Sequence, residues 1–455
     1  MERFVFAARS RLADLWDRIR SSYWFVPSVM LLGAILLALG MVRLDFYLSH
    51  SAAWTDSPMF KGFAGSGARS ILSTVASGMV TVTALVFSLT IVSLQLASSQ
   101  FGPRLLRTFM KSFGNQVVLG TFTSTFIYCL VVIGTVRDDG FVPQLSTATG
   151  ILLGIVAIAV LIYFIHHVAT SIRIENLIAE VYTDLRAVID ERFPSDIGES
   201  PANLTDIDCD RLGENFKTVC AAGAGYIRRI DSETLMSATR EHDLVVRVER
   251  NPGDFVVEGA LLFSVWPKER VTDEVGREVR RSIVLGAART PMQDVAFAVR
   301  QLVEVALRAL SPGINDPFTA IECANRLAEG LCIVVRRPRP PAYRFDDERR
   351  LRVIAEPMDL RELTHAAFDP IARAGGGNGD VALHLLQVLA TIAACALDPG
   401  DRRFFIDFAL DLERQLQQQL TLERDRQRLA AGFAAALAKA SVGCDRQEVE
   451  LSHHP

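Results

Sequence analysis

Two sets of polar side chains in this sequence have the types and spacing to do chemistry. The first is a run of hydroxyls with one amide: Ser70, Ser73, Thr74, Ser77, Thr81, Ser88, Gln95 and Ser99. On a helix these project within about 50° of one line. Thr74, Thr81, Ser88 and Gln95 recur every seven residues along it. Such a stripe serves either of two ends. Small hydroxylated residues let helices approach closely and hydrogen-bond across a seam. Equally, hydroxyls lining a water-filled path replace part of an ion's hydration shell. Identical helices packed round an axis would satisfy both.

The second set is Asp294, Arg308, Asn315 and Asp316, placed by the sequence around the end of one helix and the start of the next. An arginine with carboxylate and amide partners binds a small polar ligand or phosphate. The same residue types also cap helices, so a structural clamp is the competing expectation. Other chemistry is thin. His166 and His167 are adjacent and diverge by about 100° on a helix, so they do not grip one metal as an i, i+4 pair does. His365 stands alone. Gly375, Gly376, Gly377 and Gly379 surround Asn378 without the Lys and Ser/Thr of a phosphate loop, and read as a connector. The sequence has no Walker A loop, nucleophile elbow, H-E-x-x-H or EF-hand. The seven cysteines, at 129, 209, 220, 323, 332, 395 and 444, form no C-x-x-C or zinc spacing. We therefore expect no enzyme, cofactor or metal site.

The elements that must carry these residues follow from hydropathy. Half of the 455 residues are hydrophobic. Mean hydropathy is +0.24, and the apolar runs concentrate in the first 170 residues. Net charge of −4 leaves no footprint of nucleic-acid binding. Four uncharged runs, at about 23–42, 70–100, 116–136 and 145–165, are long enough to cross a bilayer. Thr121, Thr123, Ser124 and Thr125 give the third its own polar patch. Gly150 and Gly154 place a close-packing G-x-x-x-G in the fourth. Asp45, Asp56 and Lys61 fall in the loop after the first span. Residues 1–22 form a basic amphipathic segment suited to an anionic membrane face. Lys and Arg crowd the N-terminus, the loop after the second span (Arg104, Arg107, Lys111) and the segment after the fourth. By the positive-inside rule both termini are cytoplasmic.

The expected fold class is thus a membrane α-helical domain of four transmembrane helices at 23–170, followed by a cytoplasmic α+β region. That region comprises a helical stalk and linker at 171–221, a small β-rich module at 222–290, a helical bundle at 291–440 and a flexible tail at 441–455. Within it, residues 336–350 read as an exposed, charged, proline-rich loop, and 351–374, 380–397 and 401–440 as three helices. The expected partners are the lipid bilayer and further copies of the chain, with a small polar ligand or a protein at the cytoplasmic region. Nucleic acid is not among them.

Two stretches carry a family likeness: SLQLASSQFGPRLL, which closes the hydroxyl-rich span, and VAFAVRQLVEVALRALSPGINDPFTA. Both resemble a family of bacterial predicted membrane proteins known as domain of unknown function 2254. The resemblance spans the chain from its first helix to about residue 440. It implies a multipass inner-membrane protein with a cytoplasmic C-terminal region, and no catalytic residue. Function then divides between a homo-oligomeric pore or conductance regulator lined by the stripe and a non-conducting scaffold or sensor acting through its cytoplasmic region.

Overall fold

The computed structural model describes residues 24–49, 64–101, 113–137, 141–171, 174–193 and 213–451. The amphipathic segment 1–22, the basic loop with Arg104, Arg107 and Lys111, Asp56, Lys61 and the linker around residue 200 lie outside the described residues. The chain divides into two compact units at residues 176 and 177.

Among its described residues the first unit has α1 (Phe25–Ser49), α2 (Gly65–Phe101), α3 (Phe113–Ile133) and α4 (Gln144–Ser171). Each has an apolar window long enough to span a bilayer. The third is the inner one, with 61% of its window buried against 17–22% for the others. Its Val118, Leu119, Phe122, Tyr128, Cys129 and Val132 form the centre around which the other three pack. The polar patch of the third span turns inward, with Ser124 and Thr125 buried. Thr121 and Thr123 donate to their own helix at Val117 O and Leu119 O. The G-x-x-x-G packs α4 onto α2. A Cβ on Gly150 would come within 2.6 Å of Leu72 Cδ2, and one on Gly154 within 3.2 Å of Val75 Cγ1.

The second unit begins within α5 (Ile174–Arg192), whose apolar stripe Ile178, Val181, Leu185, Val188 and Ile189 is buried. Two sheets follow. Strands β1 (Lys217–Cys220), β3 (Val245–Val248), β5 (Leu261–Trp266), β7 (Tyr343–Phe345) and β8 (Leu351–Ile354) order as β1-β5-β3-β8-β7. Strands β2 (Gly225–Ile230), β4 (Phe255–Val256) and β6 (Ile283–Gly286) order as β4-β2-β6. Helices α6 (Ser232–Glu241) and α7 (Asp273–Arg280) close over them. Asp231 caps α6 by accepting from the N–H of Glu233 and Thr234. The remainder is helical: α8 (Val295–Ala309), α9 (Pro317–Val335), α10 (Leu360–Gly375), α11 (Gly379–Cys395), α12 (Pro399–Gln419) and α13 (Glu423–Leu451).

Three expectations from the sequence need correction. Residues 336–350 are not all loop, and 351–354 are not helix, because β7 and β8 return to the sheet and pair β8 parallel to β3, Val246 opposite Val353. A parallel partner reached by a crossover of about 100 residues is invisible to a local window. The β-rich module therefore extends beyond 222–290 at both ends. Residues 401–440 form two helices, broken where Leu420 takes an extended conformation. Its side chain is buried and its carbonyl accepts from Arg426 Nε at 2.9 Å. The tail expected from residue 441 continues α13 to Leu451.

Candidate functional site

The stripe lies on α2, and the packing of that helix decides which way it faces. Ala68, Leu72, Ala76, Met79 and Val86 are buried, the last four in clusters shared with α3 and α4. Ser70, Ser73, Thr74, Ser77, Thr81, Ser88 and Gln95 are all exposed; the side chain of Ser99 lies outside the described ones. The line of hydroxyls thus runs along the outer flank of the first unit and is no seam among its described helices. Gly78, on the same flank, faces open space.

The hydroxyl protons point back along the helix. Ser73 Oγ and Thr74 Oγ1 donate to Ser70 O at 3.0 and 2.8 Å, Ser77 Oγ to Thr74 O at 3.1 Å and Thr81 Oγ1 to Ser77 O at 3.2 Å. Each oxygen keeps its acceptor lone pairs. The flank therefore offers acceptors to whatever covers it. Arg69, at its start, donates to Val136 O at 2.9 Å.

The second set is not gathered into one clamp. Asp294 begins α8 and Arg308 ends it, about 20 Å apart along a helix of that length. Asp294 is buried, accepts from Phe297 N at 2.8 Å and pairs with Arg289 at 2.6 Å. Burial raises its carboxyl above the usual range, while Arg289 beside it acts the other way. Asp316 caps α9, accepting from Thr319 N at 3.2 Å and Thr319 Oγ1 at 2.6 Å. Asn315 takes φ 50° in the turn between the helices, a conformation Asn tolerates. Asp294 and Asp316 thus each cap one helix start. His365 bonds Asp369 on its own helix at 3.0 Å. The glycine run is a tight helix–helix corner in which Asn378 caps α11.

The family described as "Predicted membrane protein (DUF2254)" matches residues 20–391. Two uncharacterized proteins, Rv1290c of Mycobacterium tuberculosis and Mb1321c of Mycobacterium bovis, are each 32% identical over 440 residues, covering 94% of this chain and 82% of their own. The chain belongs to the DUF2254 family. No solved structure matches it. Family membership and the four apolar helices together make this a membrane protein.

Several groups in this DUF2254 chain escaped the sequence reading. Asp45 is not a loop residue but the last-turn anchor of α1. Its carboxylate accepts from Leu145 N at 2.9 Å, Ser146 N at 2.8 Å and Ser146 Oγ at 2.6 Å, capping α4 from 100 residues away. Cys332 and Cys395, far apart in sequence, share a hydrogen bond, and Arg336 donates to Cys395 Sγ at 3.1 Å. Glu241, His242 and Glu278 bring ligand atoms within 4.8 Å of one another, a grouping already explained by the His242–Glu278 ion pair at 3.1 Å. Finally, the second unit holds a cavity of about 960 Å³ among α5, the sheets and the segment after α9, with Arg192 and Arg344 in its wall. Nothing in sequence spacing marks these pairings, because each joins residues from separate elements.

Proposed function

We propose that this protein is a homo-oligomeric pore or conductance regulator of a bacterial inner membrane, its copies meeting along the hydroxyl flank of α2. One observation carries the reading: seven stripe residues line the outer face of a membrane helix whose opposite face is already buried. In hydrocarbon a line of acceptor oxygens gains nothing, whereas against water, a cation or a sister helix it is used. The outward lone pairs suit water and cations rather than anions. The distribution of Lys and Arg supports cytoplasmic termini and a cytoplasmic C-terminal unit acting as gate or sensor. The alternative, a non-conducting sensor or scaffold, draws on the cavity of that unit.

The test is thiol accessibility in a cysteine-free background, using Thr74→Cys, Thr81→Cys, Ser88→Cys and Gln95→Cys with a membrane-impermeant reagent applied to opened membranes. Labelling of Thr81→Cys and Ser88→Cys supports a water-lined path. Disulfide-linked dimers without labelling mean a dry seam between copies and end the pore reading. Neither labelling nor cross-linking leaves the stripe facing lipid, and the oligomer fails with it.

A further inference from the structure

The cavity of the second unit combines an apolar body with arginine charge that no direct ion pair closes. Phe193, Leu235, Met236, Tyr343, Phe345 and Met358 supply apolar surface, and Ser232 and Asn251 add polar edges. Three carboxylates line the wall, and each is engaged. Asp346 accepts from Arg352 Nε at 2.7 Å and from two backbone N–H groups. Glu356 accepts from Arg247 at 3.3 Å, and Glu191 from Gln293 Nε2 at 3.3 Å. The arginines are in the opposite condition. Among the described residues, the guanidiniums of Arg192 and Arg344 have no hydrogen-bond or ion-pair partner, and neither has that of Arg349 at the same wall.

Burial lowers both Arg192 and Arg344 from the ordinary arginine range, and Arg192 is lowered further by the charge of Arg344. Glu191 and Asp294 partly offset this at Arg192. An arginine does not give up its proton in a protein, so both stay charged and the repulsion persists. Two desolvated, like-charged forks side by side match one doubly charged anion. A monocarboxylate would leave one of them unmatched.

We propose that this cavity binds a phosphate ester with an aromatic or apolar body, its phosphate held between Arg192 and Arg344. The two guanidiniums are already half-buried in the folded protein, so part of their desolvation precedes binding and the site is preorganised for the anion. The volume, within the range of small-molecule pockets, leaves room for an organic group beside the phosphate. The apolar wall favours an ester over free phosphate. This assignment does not depend on whether the membrane unit conducts.

The experiment is calorimetric titration of the full chain in detergent micelles at low salt, with phenyl phosphate, inorganic phosphate and benzoate as probes. Phenyl phosphate should bind tightest and weaken as salt rises. Arg192→Ala and Arg344→Ala should each weaken it at least about tenfold, the loss of one charge-assisted hydrogen bond. Arg403→Ala, at an exposed arginine of α12, should bind as the parent does. Should an alanine variant fail to fold, Arg344→Lys keeps the charge, loses the fork and should still weaken binding. In the ligand-free protein Arg344→Met should raise the thermal midpoint, since it removes an unpaired buried charge; a structural arginine would lower it. No phenyl phosphate binding at millimolar concentration, binding by both alanine variants unchanged from the parent, or benzoate matching phenyl phosphate would each overturn the assignment.

Discussion

Asp45 should tie α1 to α4 in the first unit through its carboxylate. Its carboxylate, 7% exposed, takes two backbone N–H groups at the start of α4 and the hydroxyl of Ser146, itself fully buried. Replacing a capping side chain by alanine costs about 0.5–2 kcal/mol in ordinary helices. Here a charged acceptor is lost, and a buried donor left without a partner costs about 1–3 kcal/mol by itself. The negative charge also sits at the positive end of the α4 dipole, worth a further ~0.3–1 kcal/mol. Because these contributions overlap, Asp45→Ala should destabilise the four-helix unit by about 2–4 kcal/mol. Asp45→Asn keeps one acceptor oxygen and loses the charge, so about 1 kcal/mol is expected. Ser146→Ala, which removes only the hydroxyl partner, should cost no more than about 1 kcal/mol. The assay is reversible unfolding in mixed micelles, titrated with SDS and followed by far-ultraviolet circular dichroism. The order Ala > Asn ≥ Ser146→Ala is as informative as the size. An Asp45→Ala variant within about 0.5 kcal/mol of the parent would refute the reasoning, since surface substitutions alone reach that value.

Other consequences are equally direct. Gly150→Ala should destabilise the α2–α4 contact by about 1–3 kcal/mol, because its Cβ would lie 2.6 Å from the buried Leu72. Gly40→Ala, facing open space, should be neutral or stabilising by up to about 1 kcal/mol in the same micellar assay. Cys395, held down to about 6 by the hydrogen bond from Cys332 and by Arg336, should be alkylated by iodoacetamide with a rate rising through that pH. Arg336→Ala should move the rise upward; an unchanged profile removes the thiolate argument. Hydrogen bonds from Arg352 and then Arg270 lower Asp243 from 3.8 to about 2. Its folded-state value is the lower one, so its stabilising contribution is present above about pH 4 and is lost as pH falls toward 2. Acid titration followed by Trp266 fluorescence should show that limb, and Arg352→Met should shift it to higher pH.

The two DUF2254 units obey different solvents, and that decides where functional residues can be found. In the membrane unit the inward positions are polar as well as apolar. Ser124, Thr125, Ser146 and Thr147 are buried while Leu36, Ile91, Ile155 and Ile162 are exposed. Facing hydrocarbon, leucine and isoleucine need no cover, so an exposed apolar residue carries no information and an exposed polar line does. In the second unit the ordinary rule holds. There the informative residues are half-buried arginines beside carboxylates that have other partners.

What the sequence determined alone is whatever a local period can encode. Four uncharged runs required four spans, and the seven-residue recurrence of Thr74, Thr81, Ser88 and Gln95 placed one polar line on the second. The capping residue type at Asp316 announced a helix start, because a cap is read within four residues. Tertiary structure decided the rest. Only packing could turn the stripe to the outside of α2, place Asp45 at the head of α4, and bring β8 back beside β3. It separated Asp294 from Arg308 by the length of a helix, although four candidate residues within 23 positions looked close on paper. It set Arg192, at the end of α5, in the same cavity wall as Arg344, on the edge strand β7. Each of these facts is a contact between distant segments, where chain connectivity imposes no period and only burial, charge and shape choose the partner.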